Sequence, residues 1–167
     1  MQLRTKFLAL SALCIASVAV QVGLQLWVKK QSSLVFEHQK TISQVIKRHM
    51  DADMMHDAIR ADVLTAILAA SEGDPKGVSQ AKEDLREHAS TFQQDIVDNK
   101  KESLPPKIDA SYNDAMQSLE AYVRSGGQII GTLERGEDVT LARRRFTERF
   151  EAMEASNAAV TEHIEAW

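Results

Sequence analysis

The sequence predicts an all-α protein, built as an amino-terminal transmembrane helix followed by an antiparallel up-down-up-down four-helix bundle. Three observations predict it. Aromatic residues make up only 5% of the chain and there are three prolines, while Ala, Glu, Gln, Asp, Lys, Arg and Met are abundant, which is the usage of long helices. Strong turn signals fall at Gly73-Asp74-Pro75, at Leu104-Pro105-Pro106 and at Gly136, and they cut the chain into long segments with helical spacing. One apolar run, Phe7 to Val28, precedes all of them.

That run comes first in order. At about 22 residues it is long enough for a bilayer core that needs roughly 20. Arg4 and Lys6 precede it, Lys29 and Lys30 follow it, and Trp27 suits the membrane interface. Ser17-Val18-Ala19 offers a signal-peptide cleavage site, but the apolar run continues well past it, so an uncleaved anchor is expected. Residues 1–30 thus read as a cytoplasmic tip and anchor. Residues 31–167 read as the bundle, on the outer side of the membrane. Cys14, the single cysteine, reads as a small hydrophobe within the span, and no internal disulfide can form.

The bundle helices are expected at roughly 33–72, 76–101, 107–134 and 138–167. Pro75 suits the first turn of the second helix. That helix presents Val78, Ala81, Leu85, His88, Phe92 and Ile96 on one face. The third presents Ile108, Tyr112, Ala115, Leu119, Tyr122, Ile129 and Leu133, with Gly126-Gly127 marking a kink or a close crossing. The fourth presents Val139, Phe146, Phe150, Met153, Asn157, Val160, Ile164 and Trp167. Short connections make successive helices antiparallel. The first helix, at about 40 residues or ~60 Å, should outrun the others as a stalk continuous with the anchor. The apolar pattern is still running at Trp167, so more helix, and a second span, is expected to follow.

The first bundle helix holds the most informative pattern. Numbered in heptads from Val35, its inward positions read Val35, His38, Ile42, Val45, His49, Ala52, His56, Ile59, Val63, Ala66 and Ala70. His49 and His56 interrupt an otherwise apolar stripe. Asp53 lies one turn from each and Arg60 one turn beyond His56. A packed interior admits such groups only when they are paired with each other, with a ligand or with a metal. Antiparallel threading sets His88 and Glu87 opposite Arg60, Asp95 opposite Asp53, Phe150 near Arg60 and His163 near His49, with Tyr122 close by.

The stretch Asp53-Met54-Met55-His56-Asp57-Ala58-Ile59-Arg60-Ala61-Asp62-Val63-Leu64, placed in a bundle behind a membrane anchor, resembles helix 1 of the extracytoplasmic sensor domain of bacterial methyl-accepting chemotaxis proteins and related transducers. The resemblance covers the whole chain in architecture and about a dozen residues in wording. It implies a periplasmic ligand-binding domain that works as a parallel homodimer and signals by small helix displacements. Chemotaxis signalling partners would be reached only through parts absent from this chain. In amino-acid-sensing members, arginines of helix 1 hold the ligand's carboxylates. Arg60 falls in a comparable position, and Arg48 is a second candidate, while the His/Asp content departs from that pattern.

Three readings of the cluster stay open. Arg60 with protonated His49, His56 and His88 would bind a small organic anion through forked hydrogen bonds. His49, Asp53 and His56, with His88 or Asp95, would instead hold Zn²⁺ or another divalent ion, since such spacings present donors along one helix face. Otherwise these groups pair among themselves and set helix register. No C-x-x-C-H is present, which leaves only a noncovalent haem with His and Met ligands. Met54 and Met55 point apart on a helix and make no copper site. Asp51, Asp57 and Asp62, like Arg143-Arg144-Arg145, read as solvated flanks. The net charge of −4 argues against nucleic-acid binding. No nucleophile, acid/base pair or nucleotide loop points to an enzyme. The rival functional classes are a membrane-anchored metal- or haem-binding bundle and a structural dimerising stalk.

Overall fold

The computed structural model describes residues 2–167, excluding the side chains of Gln2, Leu3, Thr5, Phe7, Ala9 to Ala12, Cys14 and Leu34. The described residues form four helices and no strand: α1 Gln2–Ser71, α2 Pro75–Lys100, α3 Pro106–Glu134 and α4 Thr140–Glu165. The chain divides into two compact units, Met1–Ile42 and Ser43–Trp167.

The first unit is helix alone. From Leu8 to Val28 its described large apolar side chains are 48–71% exposed. Among the described residues no helix is long and apolar enough to cross a membrane. Six side chains of the expected span, Phe7, Ala9 to Ala12 and Cys14, lie outside the described set, and with them the reading of Cys14 as a small hydrophobe. Val35 and His38, given inward positions by the heptad reading, are exposed here. Every described side chain from Leu8 to Lys40 is exposed, so a heptad position there marks no buried face.

The second unit is the four-helix bundle, and paired side chains give its topology. Asp62 meets His88 and Arg48 meets Glu102, so α2 runs against α1. Lys82 meets Glu134 and Lys100 meets Asp109, so α3 runs against α2. Ser118 meets Ser156 across α3 and α4. His49 meets Thr161 and Asp53 meets Asn157, which closes α4 antiparallel onto α1. The α1 and α3 helices are therefore parallel, as the contacts of His49 with Tyr112 and of His56 with Tyr122 require.

Local chemistry ends the helices where the turn signals stand. Gly73 and Gly136 both adopt positive φ, 72° and 69°. Each closes a Schellman motif: Asp74 N–H donates to the Ala69 carbonyl and Gly73 N–H to that of Ala70, while Glu137 donates to Thr132 and Gly136 to Leu133. Asp74 caps α2 by accepting from Lys76 N–H, with Pro75 in the first turn. Asp138 accepts from both the backbone and the hydroxyl of Thr140, so α4 begins at Thr140, two residues later than expected.

The core follows the apolar faces. Val45, Ile59, Val63, Phe92, Ile96, Tyr112, Tyr122, Ile129, Met153 and Val160 are all essentially inaccessible. Two polar devices tie this core together. Asn99, fully buried, donates to the Val45 carbonyl at 3.1 Å and to the Tyr112 hydroxyl at 2.7 Å, joining α1, α2 and α3. Tyr122 donates to the His56 carbonyl at 3.1 Å. Burial pushes the Tyr112 phenol up to about 12 and raises that of Tyr122 as well, so both stay protonated.

The glycine pair in α3 marks a close crossing rather than a kink. A methyl group on Gly126 would stand 3.0 Å from Leu85 Cδ1 and 3.0 Å from Val63 Cγ2, whereas one on Gly127 would meet nothing within 4 Å. The two neighbours should thus respond oppositely. Gly127→Ala should stabilise the bundle by about 1 kcal/mol through helix propensity. Gly126→Val should destabilise it by about 1–3 kcal/mol through overpacking. Urea denaturation of both variants reads the difference, and a shift of the same sign in both would refute the close crossing.

Candidate functional site

The α1–α4 seam collects most of the residues singled out by sequence, organised around one ring. Phe150 is buried on α4, and the His56 imidazole stacks on it at 4.9 Å with an interplanar angle of 19°. The Arg60 guanidinium, one turn further along α1, lies 4.4 Å from the same ring's centroid. Tyr122 approaches Phe150 at 5.9 Å and stacks on Phe146 at 5.0 Å. Positions 56 and 60 share a face of α1, so one aromatic side chain can receive both.

Each polar group then takes a separate role. His49 is buried, and its Nε2 lies 2.8 Å from the Thr161 hydroxyl, which donates to the Asn157 carbonyl and so accepts from the imidazole N–H. Asp53 is exposed and accepts from the Asn157 amide at 3.1 Å. His56 Nδ1 donates to the Asp53 carbonyl at 2.8 Å. That carbonyl can only accept, so the hydrogen resides on Nδ1, and in the neutral ring Nε2 carries the lone pair. Nε2 is buried and has no hydrogen-bond partner; its nearest charged neighbour, Asp57 Oδ1, stands at 3.8 Å, beyond hydrogen-bond range.

His88 and Asp95 do not join this group. His88 donates from Nδ1 to Asp62 at 2.7 Å on the α1–α2 seam, and burial raises the Asp62 carboxyl despite that hydrogen bond. Asp62 is therefore a buried partner, not a solvated flank. Asp95 also lies on the α2 side. Its carboxyl is raised by burial and by Asp51 and Asp98, with Arg48 pulling the other way. The threading placed these residues at sound heights but on another seam: α2 packs on α1 where His88 meets Asp62, and α4 where His49 meets Thr161. Among the described residues, no three His, Cys, Asp or Glu side chains stand together as a metal site, so the set His49, Asp53, His56 and Asp95 is not assembled. Arg48 is committed to the end of α2, where it meets Glu102 at 3.0 Å and the Asn99 side chain at 3.4 Å.

Arg60 lies in a different setting. It lines a pocket of about 170 Å³ with Arg143, Thr147, Leu64, Phe146 and Phe150. Neither arginine makes an ion pair among the described residues, and the pocket floor is apolar. Arg143 and Thr147 were invisible to the sequence reading, which took the Arg143-Arg144-Arg145 run as one solvated face. The run in fact divides: Arg143 turns to this pocket, Arg144 pairs with Glu148, and Arg145 joins Arg124 and Arg149 in a cleft between α3 and α4. The available signal was spacing, since Arg143, Phe146 and Phe150 recur at helical intervals.

Comparison with known proteins finds no family model, no curated protein and no solved structure that matches the chain.

The burial of His49 has a consequence for stability. Burial holds its pKa below the usual 6.5, against a smaller opposing pull from Asp53. An unfolded chain takes up this proton near pH 6.5 while the folded one does not, so stability falls as pH drops below that value, by at most about 1.4 kcal/mol per pH unit. Urea midpoints between pH 7.5 and 5.5 should fall more steeply in the native chain than in His49→Gln. Parallel slopes would place the acid sensitivity elsewhere.

Proposed function

We propose that Ser43–Trp167 is the ligand-sensing bundle of a chemoreceptor-type transducer, that it recognises a small organic anion at Arg60 and Arg143, and that it works as a homodimer held by the helix from Phe7 to Val28 in a membrane, with the bundle on the periplasmic side. The observation that carries this reading is the pair of guanidinium groups over an apolar floor. Guanidinium forks suit carboxylates, and a desolvated apolar wall strengthens them. At roughly 30 Å³ per water, the pocket has room for about five or six waters, which suits an acid of a few carbons. Thr147 supplies a neutral hydroxyl at the rim.

Two further observations support the assembly. Ile46, Met50, Met54, Leu64 and Leu68 are 39–65% exposed on α1. With Asp57 and Ala61 between them, they fall within an arc of roughly 80° at about 100° per residue, a stripe wide enough for a partner helix. A second copy of α1 is the occupant that this self-similar stripe fits, and Leu64 belongs to both the stripe and the anion pocket. In Met1–Ile42, apolar side chains exposed around the whole helix call for apolar surroundings, as a lipid span provides.

The decisive experiment is a thermal-shift panel of small mono- and dicarboxylates on the full chain in detergent. A cognate acid at 100 times its Kd should stabilise by about 2.7 kcal/mol. Arg60→Ala and Arg143→Ala should each abolish that shift, and Leu64→Asp should convert a dimer to a monomer in sedimentation. Indifference to every acid, or an undiminished shift in Arg60→Ala, would remove the anion-sensing reading.

A further inference from the structure

The groove between α1 and α4, beside the anion pocket, holds a second arrangement that the anion reading does not use. It has a volume of about 570 Å³, and its walls include His56, Asp57, Glu154, Asn157 and Glu162. Carboxylates dominate it, which alone would describe any acidic surface. The distinguishing group is His56, whose side chain is only 6% exposed and whose buried Nε2 has no hydrogen-bond partner.

We propose that His56 Nε2, Asp57 and Glu154 bind a divalent transition-metal ion of the zinc type. The imidazole is prepared as a ligand. Its Nδ1–H is held by the Asp53 carbonyl at 2.8 Å, which fixes the ring's orientation and leaves Nε2 without a hydrogen-bond partner, 3.8 Å from Asp57 in the groove wall. Metal-bound histidines characteristically make this outer hydrogen bond. Stacking on Phe150 fixes the plane from the other side.

Distance supports the same conclusion. His56 Nε2 and Asp57 Oδ1 are 3.8 Å apart, too far to share a hydrogen but suited to one ion, since zinc sits about 2.0–2.2 Å from each nitrogen and oxygen ligand. Two such bonds spanning 3.8 Å open a wide but attainable ligand angle. Glu154, one helical turn after Phe150, supplies the third ligand from α4. Among the described residues no three donors already stand in ligating positions, so rotation of the exposed Asp57 and Glu154 side chains completes the site, with water in the remaining position. An imidazole among carboxylates favours zinc over calcium and magnesium, which take oxygen alone.

The test is titration of the chelator-stripped full chain with Zn²⁺ by calorimetry, with Ca²⁺ and Mg²⁺ as controls and Co²⁺ as an optical probe. One zinc per chain is expected, with a visible Co²⁺ band that zinc displaces. Asp57→Asn and Glu154→Gln, both at exposed positions, should each weaken zinc by at least about 10-fold. His56→Gln should remove the Co²⁺ band, and if that variant fails to fold the two carboxylate variants decide. No zinc uptake, or zinc affinity unchanged in both carboxylate variants, would overturn the proposal. Arg60→Ala should keep full zinc affinity while losing any anion response, so this site stands or falls apart from the anion pocket.

Discussion

The stacking of His56 and Arg60 on Phe150 is the contact on which the seam between α1 and α4 depends. One ring on α4 receives two successive turns of α1, so the helices cannot slide past each other without breaking both contacts. A cation over an aromatic face contributes about 0.5–1 kcal/mol at an exposed site, and a stacked pair a comparable amount. Neither is large beside the core, but together they select a register. Tyr122 extends the selection to α3, because its hydroxyl reaches the carbonyl of the same His56. Residues that carry the proposed chemistry are thus also those that position the helices.

The other seams are closed mainly by paired groups. Asn99 holds α1, α2 and α3 through two hydrogen bonds, Asp62 is matched with His88, and Lys82 grips Glu134. Removing one member of a buried pair leaves its partner desolvated and unpaired, which costs more than the bond itself is worth. These seams are therefore resistant to change. The α1–α4 seam retains the Arg60 and Arg143 guanidinium groups and the unpaired His56 nitrogen. A ligand at that seam bridges α1 and α4, while the pairs above hold α2 and α3.

Much of this was legible in the sequence. The turn glycines, the prolines and the apolar periodicity placed the end of α1 and both ends of α2, α3 and α4 within a residue or two, because each signal acts through local backbone sterics. The inward positions of His49 and His56, and the approach of Phe150 to Arg60, followed from helical rise alone. What periodicity does not contain is the angular order of helices around the bundle. Asp95 and His88 were at plausible heights yet lie on the α2 side, which separated them from His56. Arg143 failed in the reverse direction, since a run of three arginines looks uniform until the helix turns each one by about 100° towards a different neighbour. Asn99 was missed because it sits in the last turn of α2, where a polar residue ordinarily reads as fraying.

Asp57 connects the two proposals. It lies midway along the exposed apolar stripe of α1, between Met54 and Leu64, where a partner helix would cover it. Burying an unpaired carboxylate in such a contact is costly, and the mirrored carboxylate of a second copy would add repulsion. The His56 Nδ1–H beside it is already given to the Asp53 carbonyl, so the protein itself supplies little compensation. A divalent ion shared by His56, Asp57 and Glu154 would neutralise that carboxylate and hold it off the stripe. On the two proposals together, metal occupancy favours association of the α1 faces, and dimerisation in turn favours the metal, because such coupling is reciprocal. The anion pocket, sharing Leu64 with the same stripe, would then report on a dimer whose formation the metal has already biased.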